Sequence, residues 1–455
     1  SGDWTVYWLE RVEADFKYNG YLLDGLSREA TQARLAWNYD WYGERFAEHL
    51  GSTIAGFYCA EPPINNWTPE LFTRFRDRFG YHLEQEFPRL GYRDDERCAQ
   101  VRLDYKRLVS DLFADHYIAP AREWCTSRGL EFWARLEGDD SVRTQSEHRG
   151  GIYPAVRHFT TPVFDLVNGT QFGDPAHRNL GVGINFCNSV ARQNGSPTLF
   201  EGVGPVNWSM KLADADAQFN WAIVMGSMSL QCENLFYSID GHRKEDCPPS
   251  RSYQNPHWRI FGAWRDQFER LATALGQAEP VPVEAALLVP ISSMNACRAA
   301  VPLQEEAAPG EQELQIEQVY QDLHQRALDG HVALDLLDER ALEESSVADA
   351  MLVVGRQRYK VLVLPYVTHL SPEAQRRLSL FVSAGGTLYH HPQTPPPLAA
   401  ALGGQAIAPD ELMSRLRPAA AAGLPAGCYS RAFQDAGTRL WLLFNATAKP
   451  LPADD

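Results

Sequence analysis

The sequence predicts an α/β protein that begins with a TIM-type (β/α)₈ barrel and continues into a second α/β unit. The first 280 residues or so alternate short apolar runs with long amphipathic stretches, which is the pattern of repeated strand–helix units. The composition changes after Pro280–Pro282, and 455 residues exceed what one core usually serves. We therefore expect a catalytic barrel at residues 1–279, an α/β domain at 280–395, and a linker with the start of a C-terminal β-rich domain at 396–455.

The barrel strands are predicted at six apolar runs: Trp4–Val12, Thr53–Ala60, Leu130–Leu136, Val163–Asn168, Pro197–Phe200 and Met228–Tyr237. Amphipathic spacing predicts helices between them, at Arg28–Leu50, Pro69–Glu86, Glu96–Arg128, Pro175–Asn194, Met210–Gly226 and Asn255–Leu275. A complete barrel has eight strands. Six strands therefore predict that further N-terminal barrel strands precede Ser1.

The second unit reads as a parallel, doubly wound sheet. Its predicted strands are Val283–Pro290, His331–Leu337, Lys360–Pro365 and Gly386–His390, with helices at Glu311–Asp329 and Pro372–Ala384. No G-x-G-x-x-G turn follows the first strand, which argues against a nucleotide site. The Pro-, Ala- and Gly-rich stretch Pro392–Gly427 is predicted as a linker. Thr438–Thr447 is predicted as a lone strand, which is unstable by itself and so belongs to a larger β-domain.

Composition narrows the range of partners. The net charge is −16 and no run of Lys or Arg occurs, which argues against nucleic acid and anionic membranes. Twelve Trp and 18 Tyr residues suit a carbohydrate cleft, where rings pack on sugar faces. Eight scattered cysteines lack metal-site spacing. The sequence leaves the location open between a bacterial cytoplasm and a periplasm.

Two glutamates at predicted strand ends are the strongest catalytic candidates. Glu61 follows the strand Thr53–Ala60, and Glu201 follows Pro197–Phe200. Cleavage of a glycosidic bond usually needs two carboxyl groups, one to donate a proton and one to attack or to activate water. A barrel supplies such groups from the ends of different strands. Glu61 could also be a surface residue of a turn, and Glu201 could be paired with an arginine in a loop.

Further carboxylates and polar rings flank the same strand ends. Glu137 is followed by Gly138, Asp139 and Asp140, a group that can bind Ca²⁺ through oxygens or form a solvated turn. Glu233 lies within the last predicted strand, where a buried carboxyl must be paired or functional. The remaining candidates for substrate binding, each equally able to make ordinary hydrogen bonds, are Asn207, Trp208, Tyr237, His148 and His242. Arg135 is a further partner for a carboxylate or hydroxyl.

Several short motifs resemble glycoside hydrolases related to family 106, a group that includes α-L-rhamnosidases. The segment Phe57–Pro62, with the sequence Phe-Tyr-Cys-Ala-Glu-Pro, resembles the strand end that bears the first glutamate of that group. Leu199–Gly202 resembles the strand end that bears the second. Tyr237–Gly241 resembles the loop after the last strand, and Tyr359–Pro365 resembles part of the domain that follows the barrel. Ala60 departs from the Asp or Asn usual before the first glutamate.

The resemblance implies a clan A-type barrel with Glu61 as the acid or acid/base and Glu201 as the nucleophile or base. It also implies a flavodoxin-like second domain, as in family 42 β-galactosidases, and further barrel and β-sandwich segments outside this sequence. The expected substrate is an oligosaccharide, polysaccharide or glycoconjugate, with an α-L-rhamnoside favoured. The alternatives are a β-galactosidase-like retaining enzyme and a non-catalytic carbohydrate-binding protein on a decayed barrel. A homo-oligomer formed through either domain is compatible with the glycoside hydrolase hypothesis.

Overall fold

The protein has an α/β fold that contains two five-stranded parallel sheets. The computed structural model describes residues 15–16, 20–21, 23–62, 67–91, 95–166, 181–203, 208, 211–233, 235–245, 250–276, 279–300, 308–418, 421, 424, 428–435 and 438–445. The predicted strand Trp4–Val12 lies outside these residues. None of the described helices is both long and apolar enough to cross a bilayer.

The first sheet is a curled parallel half-barrel. Its strands, joined in chain order, are β1 (Gly56–Ala60), β2 (Glu131–Arg135), β3 (Thr161–Asp165), β4 (Leu199–Gly202) and β5 (Ser229–Cys232). All neighbouring pairs are parallel. A parallel sheet whose strands follow chain order is the arrangement of a (β/α) barrel. Five of the six predicted barrel strands therefore lie in this sheet.

Helices precede, connect and follow the strands of the half-barrel. They are α1 (Arg28–Arg34), α2 (Asp40–Arg45), α3 (Leu71–Phe79), α4 (Leu83–Glu86), α5 (Pro88–Gly91), α6 (Cys98–Phe113), α7 (Ala119–Thr126), α8 (Val142–Arg149), α9 (Tyr153–Val156), α10 (Gly181–Asn194), α11 (Leu212–Met225) and α12 (Phe261–Gly276). Two predicted long helices are each interrupted by a π-helical turn, at Leu35–Tyr39 and Ala114–Ile118. Helix α8 ends at Gly150, whose φ of 69° suits a left-handed cap.

In the second sheet the spatial order of the strands differs from their order in the chain. Apart from a short antiparallel pair at Asp15–Phe16 and Gly20–Tyr21, the remaining strands are β6 (Glu279–Pro280), β7 (Ala285–Leu288), β8 (Asp335–Leu337), β9 (Ser346–Ala348), β10 (Met351–Val354), β11 (Gln357–Tyr359), β12 (Val361–Leu364), β13 (Thr387–His390), β14 (Gln405–Ala406), β15 (Cys428–Asp435) and β16 (Thr438–Asn445). The sheet order is β8-β7-β12-β13-β14, all parallel. The chain therefore first builds to one side of β7 and then to the other, as in a doubly wound sheet.

Helices of the second unit cover this sheet. They are α13 (Ile291–Cys297), α14 (Glu311–Asp329), α15 (Glu339–Glu344), α16 (Pro372–Ser383), α17 (Pro396–Leu402) and α18 (Pro409–Leu416). Helix α14 has the bounds that its amphipathic pattern predicts. The last three helices each begin with proline, which suits a first helical position because its missing N–H has no partner there.

The linker predicted in the C-terminal region is wrong, and the last strand pairs with other strands. The stretch Pro392–Gly427 is not a linker, because it contains α17, β14 and α18, and β14 extends the second sheet past residue 395. Nor is the last strand alone: β16 pairs with all eight residues of β15, and β15 also pairs with β6. Prolines there start helices instead of breaking them. The predicted domain boundaries themselves stay a prediction.

The two units share a polar contact around Asp335. This aspartate of β8 is completely buried and accepts hydrogen bonds from Arg192 Nε of α10 (2.8 Å) and from the Tyr359 hydroxyl (2.8 Å). Arg192 Nη2 is also in close contact with it. Helix α10 of the half-barrel is thereby held to a strand of the second sheet. A buried charge of this kind needs its partner, because neither ion is compensated by water.

We predict that Asp335→Asn lowers the free energy of unfolding by about 3 to 5 kcal/mol, because it leaves Arg192 without its counter-charge. Urea unfolding followed by circular dichroism measures this. Glu284→Gln is the matched control, since the Glu284–Lys360 pair is about half exposed on both sides and should contribute less than about 1 kcal/mol. Equal losses in the two variants would contradict the role given to Asp335.

Candidate functional site

Three acidic side chains and one arginine meet at the carboxyl ends of four neighbouring strands. Glu61 follows β1 directly, Asp165 ends β3, and Glu201 is the third residue of β4. Arg135 ends β2 and lies opposite Ala60, while Asp165 lies opposite Glu201. Because the strands are parallel, these ends lie at one edge of the sheet, which is where active sites of barrel enzymes are found.

Arg135 connects the three carboxylates. Its Nη2 lies 3.0 Å from Glu61 Oε1, its Nη1 is in close contact with Asp165 Oδ2, and its Nε lies 3.5 Å from Glu201 Oε2. Since one planar guanidinium group contacts both glutamates, their contacting oxygens lie no more than about 9 Å apart, and glycosidases separate their two carboxyl groups by about 5 to 9.5 Å. The two predicted catalytic glutamates therefore face a common cation.

The two glutamates differ in exposure. The side chain of Glu61 is 50% exposed, whereas that of Glu201 is 6% exposed. The hydroxyl of Tyr58 donates a short hydrogen bond to Glu201 Oε2. Burial and the adjacent Glu201 raise the pKa of Tyr58 well above its usual value, so the phenol stays a donor. Glu201 is thus fixed in place, and Glu61 is open to solvent.

The backbone is unusual where the two strands end. Glu61 has a φ of 44°, and Val203, just after β4, has a φ of 61°. Both values lie in the left-handed region, which is costly for a residue with a β-carbon and especially for a branched one. At Val203 the strain is offset by hydrogen bonds, because its N–H donates to Gln218 Oε1 (2.8 Å) and its carbonyl accepts from Arg251 Nε (3.1 Å). Such conformations concentrate at functional sites.

Negative charge is in excess around Arg135. Burial raises the pKa of Asp165 to about 8 in spite of Arg135, and Glu201 adds to the rise. Burial followed by Glu201 also raises the pKa of Glu233. Four carboxyl groups share one guanidinium, so full ionisation of all four is unfavourable. The electrostatics of the cluster therefore favour a retained proton, most strongly at Asp165.

Glu233 lies near this cluster. The sequence predicts it inside the last barrel strand, but the observed strand ends one residue before it. It follows β5, and its N–H donates to the carbonyl of Gly202 (3.2 Å). The side chain is half-buried, and its Oε2 has no hydrogen-bond partner among the described residues. Its charge acts on both Asp165 and Glu201 through the electrostatic field, so it belongs to the acidic cluster.

The acidic turn after β2 is placed differently. The side chain of Glu137 is exposed, and its carbonyl accepts from His148 Nδ1 (3.3 Å) and from Arg149 Nη1 (3.2 Å). Asp139 is buried, and burial together with Asp140 raises its pKa well above the usual value. Within the described part of the chain, no three His, Cys, Asp or Glu side chains converge as a metal site. The Ca²⁺ hypothesis therefore has no ligand set there.

Three other predicted substrate contacts lie in the segments that follow β4 and β5. Trp208 is 38% exposed and donates its indole N–H to the carbonyl of Lys244 (2.6 Å). His242 is exposed in the short helix Gly241–Lys244, and Tyr237 is almost fully exposed. None of the contacts described for these three side chains reaches the carboxylates. Asn207 lies outside the described residues.

Sequence reasoning missed Asp165 and Tyr58. Asp165 follows the apolar pair Val163-Phe164, so it would have counted as a carboxylate after an apolar strand had the predicted strand ended at Phe164, four residues earlier. Tyr58 carries no such signal, because a tyrosine inside an apolar strand is ordinary. Arg135 was considered only as a general partner, and its central position depends on the pairing of β1 with β2.

Comparison with solved structures relates the fold to glycoside hydrolases. A rhamnosidase from Novosphingobium sp. PP1Y matches with a TM-score of 0.64 and 16% identity, over 93% of this chain and 42% of its own. A catalytic mutant of Gan42B, a GH42 β-galactosidase from G. stearothermophilus, matches with a TM-score of 0.57 and 16% identity, over 80% of this chain and 55% of its own. A β-galactosidase from Marinomonas ef1 matches with a TM-score of 0.54 and 13% identity, over 83% of this chain and 63% of its own.

These matches extend to the fold alone at such identities. The chain spans between about two fifths and two thirds of the length of these enzymes. The sequence matches no protein-family profile, and no curated protein is significantly similar to it.

We predict that Asp165→Asn removes a pH dependence of stability. A carboxyl whose folded pKa of about 8 exceeds the unfolded value of about 3.9 stabilises the fold fully below pH 4, and this contribution is lost as the pH rises through 8. Relative to the wild type, Asp165→Asn should therefore gain at least about 1 kcal/mol of stability between pH 5 and pH 8. Urea unfolding at both pH values measures this, and a constant difference would refute the protonated Asp165.

Proposed function

We propose that this protein is a glycoside hydrolase in which Glu61 is the general acid and Glu201 is the nucleophile or the base that activates water. The observation that carries the proposal is that both glutamates contact Arg135 at the carboxyl edge of a parallel half-barrel. The fold shared with solved glycoside hydrolases supports it.

The surroundings of each glutamate suit its role. Glu61 is half exposed, and only its Oε1 contacts Arg135, so the other oxygen can carry the proton that a leaving group needs. Glu201 is held by Tyr58 and Arg135, which fixes the direction of attack. Arg135 is a positioning residue, because it orients both carboxylates.

The finer assignments of fold and substrate rest on the same reasoning. We propose that the half-barrel belongs to a complete clan A-type barrel and that the second sheet, with its 2-1-3-4-5 order, is a flavodoxin-like domain. An α-L-rhamnoside is the first substrate to test, and a β-galactoside with retention is the alternative, because the structural neighbours are named for these two sugars. On the same basis we propose that the protein is related to glycoside hydrolase family 106 and that it self-associates through either of its domains.

One observation favours a second function, a carbohydrate-binding protein without catalysis. Glu201 is almost fully buried and paired, as a structural carboxylate would be, and Ala60 stands where relatives of the resembled group carry Asp or Asn. In that case a sugar would bind and no bond would be cleaved. Turnover that depends on Glu201 would exclude this alternative.

We predict that the loss of activity depends on the leaving group of the substrate in Glu61→Gln but not in Glu201→Gln. A screen of aryl glycosides, starting with rhamnosides and galactosides, should show turnover by the wild type. Glu61→Gln should lose about 10² to 10⁴ in kcat/KM on nitrophenyl glycosides and clearly less on dinitrophenyl glycosides, whose leaving group needs little protonation. Glu201→Gln should lose activity on both.

Glu131→Gln is the matched control, because Glu131 is an exposed glutamate at the opposite end of β2. It should retain wild-type kcat/KM. Full activity of Glu61→Gln or of Glu201→Gln on nitrophenyl glycosides would contradict the role assigned to that residue. The anomeric configuration of the first product, observed by NMR, then distinguishes retention from inversion.

A further inference from the structure

A cavity of about 130 Å³ lies where the half-barrel, the second sheet and the β15–β16 pair meet. Its wall is formed by α10, the end of α11, the end of α14, and the segments before β8 and within β15. Two arginines border it, Arg192 of α10 and Arg431 of β15, and we call it the arginine cavity. Although the chain has a net charge of −16, no Asp or Glu stands among the described residues of this wall.

Arg431 is held in place without a carboxylate. Its Nη1 donates to the carbonyl of Met225 (3.1 Å), the last residue of α11, and its guanidinium lies 5.6 Å from the ring centre of Phe433. The carbonyls at the end of a helix supply only about half an elementary charge. Burial, followed by the like charge of Arg192, lowers the pKa of Arg431 to about 9. Arg431 is therefore a partly buried cation without a counter-charge among the described residues.

Each arginine keeps one nitrogen that is free to donate. Arg431 Nη2 has no hydrogen bond among the described residues, and, unlike Nε of the same side chain, it is not fully enclosed. Arg192 uses Nε and Nη2 to contact Asp335 and its own helix, whereas its Nη1 makes no hydrogen bond with the described part of the chain. The Arg192 side chain is 20% exposed, and Nη1 is not enclosed either. Both nitrogens are therefore accessible to a ligand.

The contacts of α10 bring the two arginines together. Arg192 Nη2 lies 3.4 Å from Asn185 Oδ1, so the side chain runs back along the helix toward another residue of the cavity wall. Asn188 Nδ2 donates to the Met225 carbonyl (2.8 Å), which also accepts from Arg431. Both guanidinium groups therefore lie along the boundary between α10 and the end of α11.

The charge of the cavity selects the ligand. Arg192 is already paired with the buried Asp335, so these two charges cancel and Arg431 leaves one positive charge uncompensated. Burial lowers the pKa of His324 to about 4, so this histidine of the wall is neutral near pH 7. A ligand with one negative charge would balance Arg431, whereas a dianion would leave an excess of negative charge.

Apolar side chains form most of the remaining wall, among them Val224, Leu328, Val332 and Trp441. We propose that the arginine cavity binds a small aliphatic monocarboxylate, whose oxygens accept hydrogen bonds from Arg431 Nη2 and Arg192 Nη1. The hydrocarbon part of the ligand packs on the apolar side chains, and the cavity is several times larger than one water molecule needs. This site is separate from the carboxylates around Arg135 and does not rest on the proposed glycosidase activity.

Isothermal titration calorimetry with butyrate and butyramide tests the proposal, because the two probes have nearly the same shape and differ in charge. In a buffer without carboxylate or phosphate, butyrate should bind the protein at least about tenfold more tightly than butyramide. Failure of butyrate to bind at millimolar concentration, or equal binding of butyramide, would overturn the proposal. Tighter binding of inorganic phosphate than of butyrate would overturn the choice of a monocarboxylate.

Two variants assign the site. Arg431→Gln removes the charge and should weaken butyrate binding by at least about tenfold. Arg358→Gln is the matched control, because Arg358 is an exposed arginine paired with Asp349 on another sheet, and it should leave the affinity unchanged. An unchanged affinity in Arg431→Gln would refute the site.

A crystal structure of the wild type with butyrate decides the matter if Arg431→Gln does not fold by circular dichroism. A carboxylate oxygen should lie within about 3.2 Å of Arg431 Nη2. Butyrate bound only elsewhere on the protein would overturn the proposal.

Binding by Glu201→Gln separates the two proposals. This variant should bind butyrate as the wild type does, even where it lacks glycosidase activity. A changed butyrate affinity in Glu201→Gln would place the anion beside Arg135 and overturn the second site.

Discussion

The guanidinium of Arg135 is the interaction on which the arrangement of the candidate site depends. It contacts carboxylates from three different strand ends, those of Glu61, Asp165 and Glu201. Without a cation among them these acids would repel one another and protonate. One arginine still does not neutralise the whole group, which includes Glu233. The remaining imbalance keeps a proton on the cluster, and an enzyme that acts by acid catalysis needs a proton held near a carboxylate pair.

The two sheets place polar groups at their carboxyl edges by different routes. In the half-barrel the strands follow chain order, so side chains from successive strands converge on one cleft. In the second sheet the order reverses beside β7, which opens a crevice that α6 of the half-barrel then covers. The buried contact of Asp335 with Arg192 holds the two units in register. The cavity beside β7 is therefore bordered by residues of both units.

Part of the conformational cost of the fold lies where chemistry is proposed. Glu61 and Val203 adopt left-handed backbone angles just after β1 and β4, and both Asp165 and Glu201 are buried carboxyls. Each feature lowers stability by itself. The surrounding hydrogen bonds, from Tyr58 to Glu201 and from Arg251 to the Val203 carbonyl, make these conformations tolerable. The free-energy cost of these conformations is offset by stabilising contacts elsewhere in the fold.

The sequence by itself determined the class of fold, most element positions and the two leading glutamates, because apolar periodicity and strand-end carboxylates are local signals. Helix α14 and strands β1, β2, β7, β12 and β13 lie within or at their predicted ranges. Tertiary structure alone decided the rest. The neighbours of Arg135 depend on strand register, and the pairing of β16 with β15 joins segments of ambiguous pattern. These are long-range contacts, and no local pattern encodes their partners.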